Sequence, residues 1–282
     1  MRLSVLATIT SIAIVVATSF GLSGCAEGGA DKPTPEAAKK FLKLRGYNFD
    51  DQSFLSAAAA GDAMAVNGFL AAGINPNVTD KIDGDTALIA AASRGDLPIV
   101  KVLLENHADV NIKNKNGWTA LLLAFQHDRN DVADALIAEQ SLEVNAEPPG
   151  GMSALMLAVW NHREAAVRTL LQRGADINHQ DKDGDTALHG AAFLGDLTNL
   201  QILLQQGANP NIKNKLGGTP LMWAASYGHD DVVRELLAKG ADARIKDVDG
   251  VTAAGWAAKN GRTELAQRLR EAEKQMAVSN KQ

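Results

Sequence analysis

The chain has 282 residues, 28 of them basic and 33 acidic, and a net charge of −5 at neutral pH with histidine neutral. That balance speaks against nucleic acid, whose phosphates require a basic stripe, and otherwise it mainly serves solubility. A single cysteine excludes a disulfide within the chain, and aromatic residues at 5% leave a core to be built largely from alanine and leucine.

The first 25 residues, MRLSVLATITSIAIVVATSFGLSGC, pass from a basic residue through an apolar stretch, Leu3 to Leu22, into small residues. That is the pattern of a secretory signal. The run is nearly long enough for a membrane-spanning helix. However, Leu22-Ser23-Gly24-Cys25 resembles the bacterial lipobox. The resemblance implies that residues 1–24 are removed and that Cys25 carries lipid on its sulfur and new amino group. Each buried methylene is worth about 0.8 kcal/mol, so several acyl chains make a permanent anchor. Ala26, not aspartate, follows the cysteine. By the same resemblance this implies a lipid-anchored protein of the outer membrane facing the periplasm, or of the cell membrane in a Gram-positive host. Residues 25–35, small and rich in Gly and Pro, are expected to form a flexible tether. A capping helix is expected within 36–49, with Ala37, Ala38, Phe41 and Leu42 on roughly one face.

From there a phrase recurs: GDTAL at Gly84, GWTAL at Gly117, GMSAL at Gly151, GDTAL at Gly184, GGTPL at Gly217 and GVTAA at Gly250. The steps are 33, 34, 33, 33 and 33 residues. A second phrase follows five of these: HADVN ends at Asn111, LEVN at Asn145, GADIN at Asn178, GANPN at Asn211 and GADAR at Arg244. A degenerate copy lies upstream, from SFLSAAAAGD at Ser53 to AGINPN ending at Asn77. Thr86, Thr119, Ser153, Thr186, Thr219 and Thr252 each precede an apolar run, where a hydroxyl caps a helix start. Gly95, Gly195, Gly228 and Gly261 mark the turn to a second apolar run of helical period, and Gly174, Gly207 and Gly240 mark its end. One such helix–turn–helix unit cannot bury its apolar face alone, whereas stacked neighbours can.

This pattern resembles the ankyrin repeat, whose period is 33, with TPLH opening its first helix and GAD.N closing its second. The resemblance implies an all-α ankyrin-repeat solenoid of helix–turn–helix units with short hairpin fingers, about seven repeats over 50–277, and a disordered tail at 278–282. Only Thr186-Ala-Leu-His189 keeps the family's histidine; Ile89, Leu122, Met156, Met222 and Gly255 stand there in other copies. The polar face of ELAQRLREAEKQ suits a terminal repeat. The junction Asn145-Ala-Glu-Pro-Pro-Gly-Gly151 is stiffened by its prolines.

Catalytic chemistry is not expected. Asp181-Lys-Asp-Gly-Asp185 looks like the start of a calcium loop, but Thr186 and Ala192 stand where that loop needs Gly and Glu. The histidines His107, His127, His162, His179, His189 and His229 lack metal-ligand spacing. No nucleophile elbow, Walker loop or dinucleotide fingerprint appears. No cofactor and no metal are expected.

In the ankyrin family, partners dock on the finger tips and the exposed side of the first helices. Carried over by register, that implies a partner-binding set of Trp118, Gln126, His127, Met152, Trp160, Asn161, Asp185, Phe193, Leu194 and Tyr227. Contiguous exposed apolar surface marks an interface, and Trp and Tyr are favoured anchors. Trp223 and Trp256, one turn earlier in their helices, are expected in the core. The expected function is a monomeric protein–protein interaction module, a scaffold or stabiliser, held to a membrane through Cys25. An immunity protein neutralising an effector such as a lipase is the alternative, and a hydrolase on a repeat frame the remote one.

Overall fold

The computed structural model describes residues 33–147 and 150–279. The signal segment, Cys25, most of the tether, Pro148, Pro149 and the last three residues lie outside them. Fifteen helices and no strand occur among the described residues, and the chain divides into two compact units at Lys115 and Asn116. No helix of the described residues is long and apolar enough to cross a membrane.

The first unit opens with α1 (Pro35–Leu44), which starts on proline and is capped by the Thr34 hydroxyl. Two helix pairs follow: α2 (Asp51–Ala60) with α3 (Ala63–Ala71), and α4 (Ala87–Arg94) with α5 (Leu97–Glu105). Helix α1 docks on α3 as the amphipathic pattern predicts, burying Ala38 and Leu42 completely. Ala37, expected on the same face, is exposed. Gly68 of α3 permits this approach, because a Cβ there would stand 3.2 Å from both Leu42 and Phe41. Behind the cap, Tyr47, Phe49 and Phe54 surround Phe69, with centroids 5.7 to 6.1 Å away. Arg45 pairs with Asp62 at 2.7 Å, and the Asp62 carboxylate also caps α3 through the Ala65 N–H.

The second unit holds five pairs: α6 (Ala120–Gln126) and α7 (Asn130–Ala138), α8 (Ala154–Trp160) and α9 (Glu164–Gln172), α10 (Ala187–Leu194) and α11 (Leu197–Gln205), α12 (Pro220–Tyr227) and α13 (Asp230–Ala238), and α14 (Ala253–Lys259) and α15 (Thr263–Ser279). First helices stack on first helices, and α7, α9, α11 and α13 stack likewise. Fully buried Ala124, Ala158, Ala191, Ala224 and Ala257 keep the first helices close. The last helix continues to Ser279, past residue 277 where the sequence pattern ended the repeats. Its Leu265, Ala266 and Leu269 are buried, while Glu264, Gln267, Arg268, Arg270, Glu271 and Lys274 face solvent.

The expected caps form at Thr86, Thr119, Ser153, Thr186 and Thr252, whose hydroxyls accept from the backbone N–H three residues on. Thr219 makes no such bond; Pro220 occupies the first helical position instead. The extended segments between pairs close into tight fingers, as where Asp181, Asn214 and Asp247 N–H groups reach the carbonyls of Asp185, Gly218 and Val251. Consecutive fingers are joined in turn, Lys215 N–H to Asp183 O at 2.8 Å and Val248 N–H to Leu216 O at 3.0 Å.

Candidate functional site

Apart from Trp118 on a finger, the second unit carries its aromatic residues on the first helices, at registers the repeat brings side by side. Trp160 ends α8 and is 39% exposed. Its indole lies against Gly190 of α10, where a Cβ would sit 3.4 Å from Nε1. Phe193, one turn further along α10, meets the Trp160 ring at 5.4 Å, Trp223 edge-on at 5.7 Å and Tyr227 edge-on at 4.7 Å. Trp223 and Tyr227, both on α12, stack at 6.3 Å. Tyr227 is 45% exposed, and its other neighbour is His229, stacked at 6.3 Å with planes 10° apart. His229 is held by donating from Nε2 to the Phe193 carbonyl at 3.0 Å. Edge-on and offset rings each add about 0.5–1.5 kcal/mol beyond the area they bury. The row is therefore self-supporting while part of it stays open to solvent.

A cavity of about 260 Å³ lies along this row, lined by Met152, Met156, Trp160, Phe193 and Trp223 and by Asp181, Asp183, Asp185 and His189. A smaller one of about 80 Å³ is lined by Leu216, Met222, Trp223 and Trp256 among others. The aspartates belong to one finger. Asp181 Oδ1 accepts from the Asp183 and Asp185 N–H groups at 2.9 and 3.0 Å. Asp185 accepts from the Asn214 amide at 2.9 Å. The run that resembled a calcium loop is thus a finger turn, and no group of three or more His, Cys, Asp or Glu among the described residues is placed to hold a metal.

His189 is buried beneath the cavity. Its Nδ1 faces the Thr186 N–H at 3.1 Å and hydroxyl at 2.9 Å, and its Nε2 lies 3.2 Å from the Gly218 carbonyl of the next repeat. A carbonyl only accepts, so the proton sits on Nε2. Burial pushes the pKa of His189 down, outweighing the nearby Asp185 and Asp181 charges and the Gly218 bond, which act to raise it. Asp247 of the last finger feels burial, which acts to raise its pKa, but the Val251 N–H, the Trp256 indole at 2.8 Å and the Asp249 N–H together hold it below the usual range.

The structure sorts the ten sequence-derived positions. Trp160, Phe193 and Tyr227 join in the aromatic row, and Met152 and Asp185 line its cavity. Gln126 and His127 are exposed at the end of α6 but line neither cavity. Trp118 and Leu194 are half-buried and also stand outside both. Asn161 serves the fold itself, because its amide donates to the Phe125 carbonyl at 2.7 Å and ties α8 to α6. Trp223 and Trp256 are corrected from core to face. Both are half-buried and line the smaller cavity, because an indole at that register is too large to fit between stacked first helices. Leu216 and Val248, 67% and 68% exposed on adjacent finger tips, fall outside the sequence-derived set. Their signal was available in the residues just before the repeated Gly217 and Gly250.

A family model described as ankyrin repeats (3 copies) matches residues 54–148, 107–181, 141–214 and 188–280. No curated protein matches the chain.

Proposed function

The chain belongs to the ankyrin-repeat family, and from that premise we propose that it binds a partner protein on the aromatic face of its second unit, as a membrane-held scaffold or stabiliser. Its repeats make it a protein–protein interaction module. The observation that carries the site is the row Trp160–Phe193–Trp223–Tyr227. Four large rings from a chain poor in aromatics lie within 6.3 Å of their neighbours, with Trp160 and Tyr227 left partly open. Such a surface is built before the partner arrives, so little ordering entropy is lost on docking. Lipid on Cys25 would hold the partner near the envelope, facing the periplasm, and raise its local concentration there.

The test is a crosslinking pull-down from intact cells, comparing the wild type with Trp160→Ala and read by mass spectrometry. One protein captured by the wild type and lost from the variant supports the face, and that protein's activity distinguishes a scaffold from an inhibitor. Equal capture by both removes the aromatic row as the docking site.

A further inference from the structure

The larger cavity combines two features that a purely apolar docking surface does not need. Its wall includes the rings of Trp160, Phe193 and Trp223. Its lining also includes three carboxylates, Asp181, Asp183 and Asp185, and no lysine or arginine. The only other titratable residue lining it, His189, is buried with its ring nitrogens engaged by Thr186 and Gly218. Asp181 and Asp185 are partly occupied by the finger's own N–H groups and by Asn214. Asp183 is exposed, and only its backbone enters the finger's hydrogen bonds.

Aromatic faces attract cations through their quadrupole, and carboxylates attract them by charge. A metal ion is a poor occupant, since no His, Cys, Asp or Glu group among the described residues is placed to hold one. A guanidinium is planar, weakly hydrated, stacks on indoles and pairs with carboxylates. We propose that the cavity between the aromatic row and the Asp181–Asp185 finger receives an arginine side chain from a basic segment of the partner protein. This rests on the docking face proposed above and names the chemistry of what docks there. The rings supply the contact area and Asp183 the counter-charge.

The test uses the full-length protein and a defined probe, acetyl-Gly-Arg-Gly amide, with its citrulline counterpart as the uncharged isostere. The readout is the Trp160 indole N–H resonance, assigned by its loss in Trp160→Phe. The arginine peptide is expected to shift it saturably at low salt, and citrulline to do so far less. Asp183→Asn is expected to weaken the arginine peptide about two- to fivefold, the size of one partly exposed cation contact. Equal shifts from both peptides, or none from arginine at tens of millimolar, would overturn the proposal. The cellular pull-down separates the two levels of inference. A partner lost from Trp160→Ala but captured undiminished by Asp183→Asn overturns the arginine pocket and leaves the docking face standing. A partner kept by both variants overturns the face itself.

Discussion

Gly217 shows what one repeated residue does. Its φ is +75°, and a Cβ there would stand 2.9 Å from the Asp247 Cα of the next finger. Backbone is the obstacle, so no rotamer change relieves it. Gly217→Ala is expected to destabilise the second unit by more than the roughly 1–2 kcal/mol of the left-handed conformation alone, measurable by urea unfolding. His189 sets a pH response. Its folded pKa lies below its ordinary value, so below about pH 6.5 the unfolded chain takes the proton more readily than the folded one. Its contribution is whole above that pH and is lost as pH falls toward the folded pKa. Protonation also removes the acceptor that Nδ1 offers to the Thr186 N–H. Thermal midpoints are expected to fall between pH 7 and pH 5, less steeply in His189→Gln. The depressed carboxylates Asp80, Asp242 and Asp247 act lower, losing their contribution below about pH 4. At the aromatic row, Phe193→Ala removes three ring contacts and is expected to cost about 2–3 kcal/mol. Trp160→Ala removes one from an exposed side chain and is expected to cost about 1 kcal/mol. A double mutant would confound folding with binding, which is why Trp160 alone is the cleaner probe; comparing the two thermal midpoints checks this.

Between elements, the recurring asparagine of the second phrase explains itself. Asn211 Oδ1 accepts the Asp242 N–H at 2.7 Å while its Nδ2 donates to the Gly240 carbonyl at 3.0 Å. Asn145 does the same with Asp176 and Gly174, and Asn178 Oδ1 accepts from Asn209. In the first unit, Asn77 accepts from Asp109. Each asparagine thus joins the end of one helix pair to the end of the next through its side-chain amide. Asn211→Ala strands two backbone groups and is expected to cost about 1–3 kcal/mol. Hydrogen exchange is expected to quicken at Asp242 before residues further off. The final copy departs from the pattern: Arg244 stands in place of Asn, bonds Asp242 within its own loop and reaches Met276 O of α15. The caps, Thr219 apart, were legible in the sequence because each depends on residues at fixed spacing, whereas the asparagines were visible there only as a recurring position whose bonds the structure supplies. The bond made by Asn161 was not legible, because its acceptor is a backbone carbonyl 36 positions back.

For the molecule as a whole, the prediction concerns where it resides. If Cys25 carries lipid, Cys25→Ser abolishes incorporation of labelled fatty acid and moves the protein out of the membrane fraction. An unchanged fractionation and label would remove the anchor from the proposal. The acid-lined cavity of the second unit is what the proposed basic segment of a partner would meet, and screening by salt is the check on that proposal at this scale.

The period of 33 determined by itself that the chain folds as helix pairs, about where each begins and ends, and, Thr219 apart, which hydroxyls cap the first helices. Those properties follow from local hydrogen bonding and from apolar spacing, which repeat whenever the residues repeat. Which aromatic rings form a face was decided only in the tertiary structure. Trp223 and Trp256 occupy the register of Gly190, which is buried, yet remain half-open. Trp160 stays exposed with its ring resting against Gly190 of the next repeat, and Phe193 is half-buried because Trp160, Trp223 and Tyr227 stand around it. Register sets the direction in which a side chain points from its own helix, but its exposure depends on the volume the neighbouring repeat places in front of it.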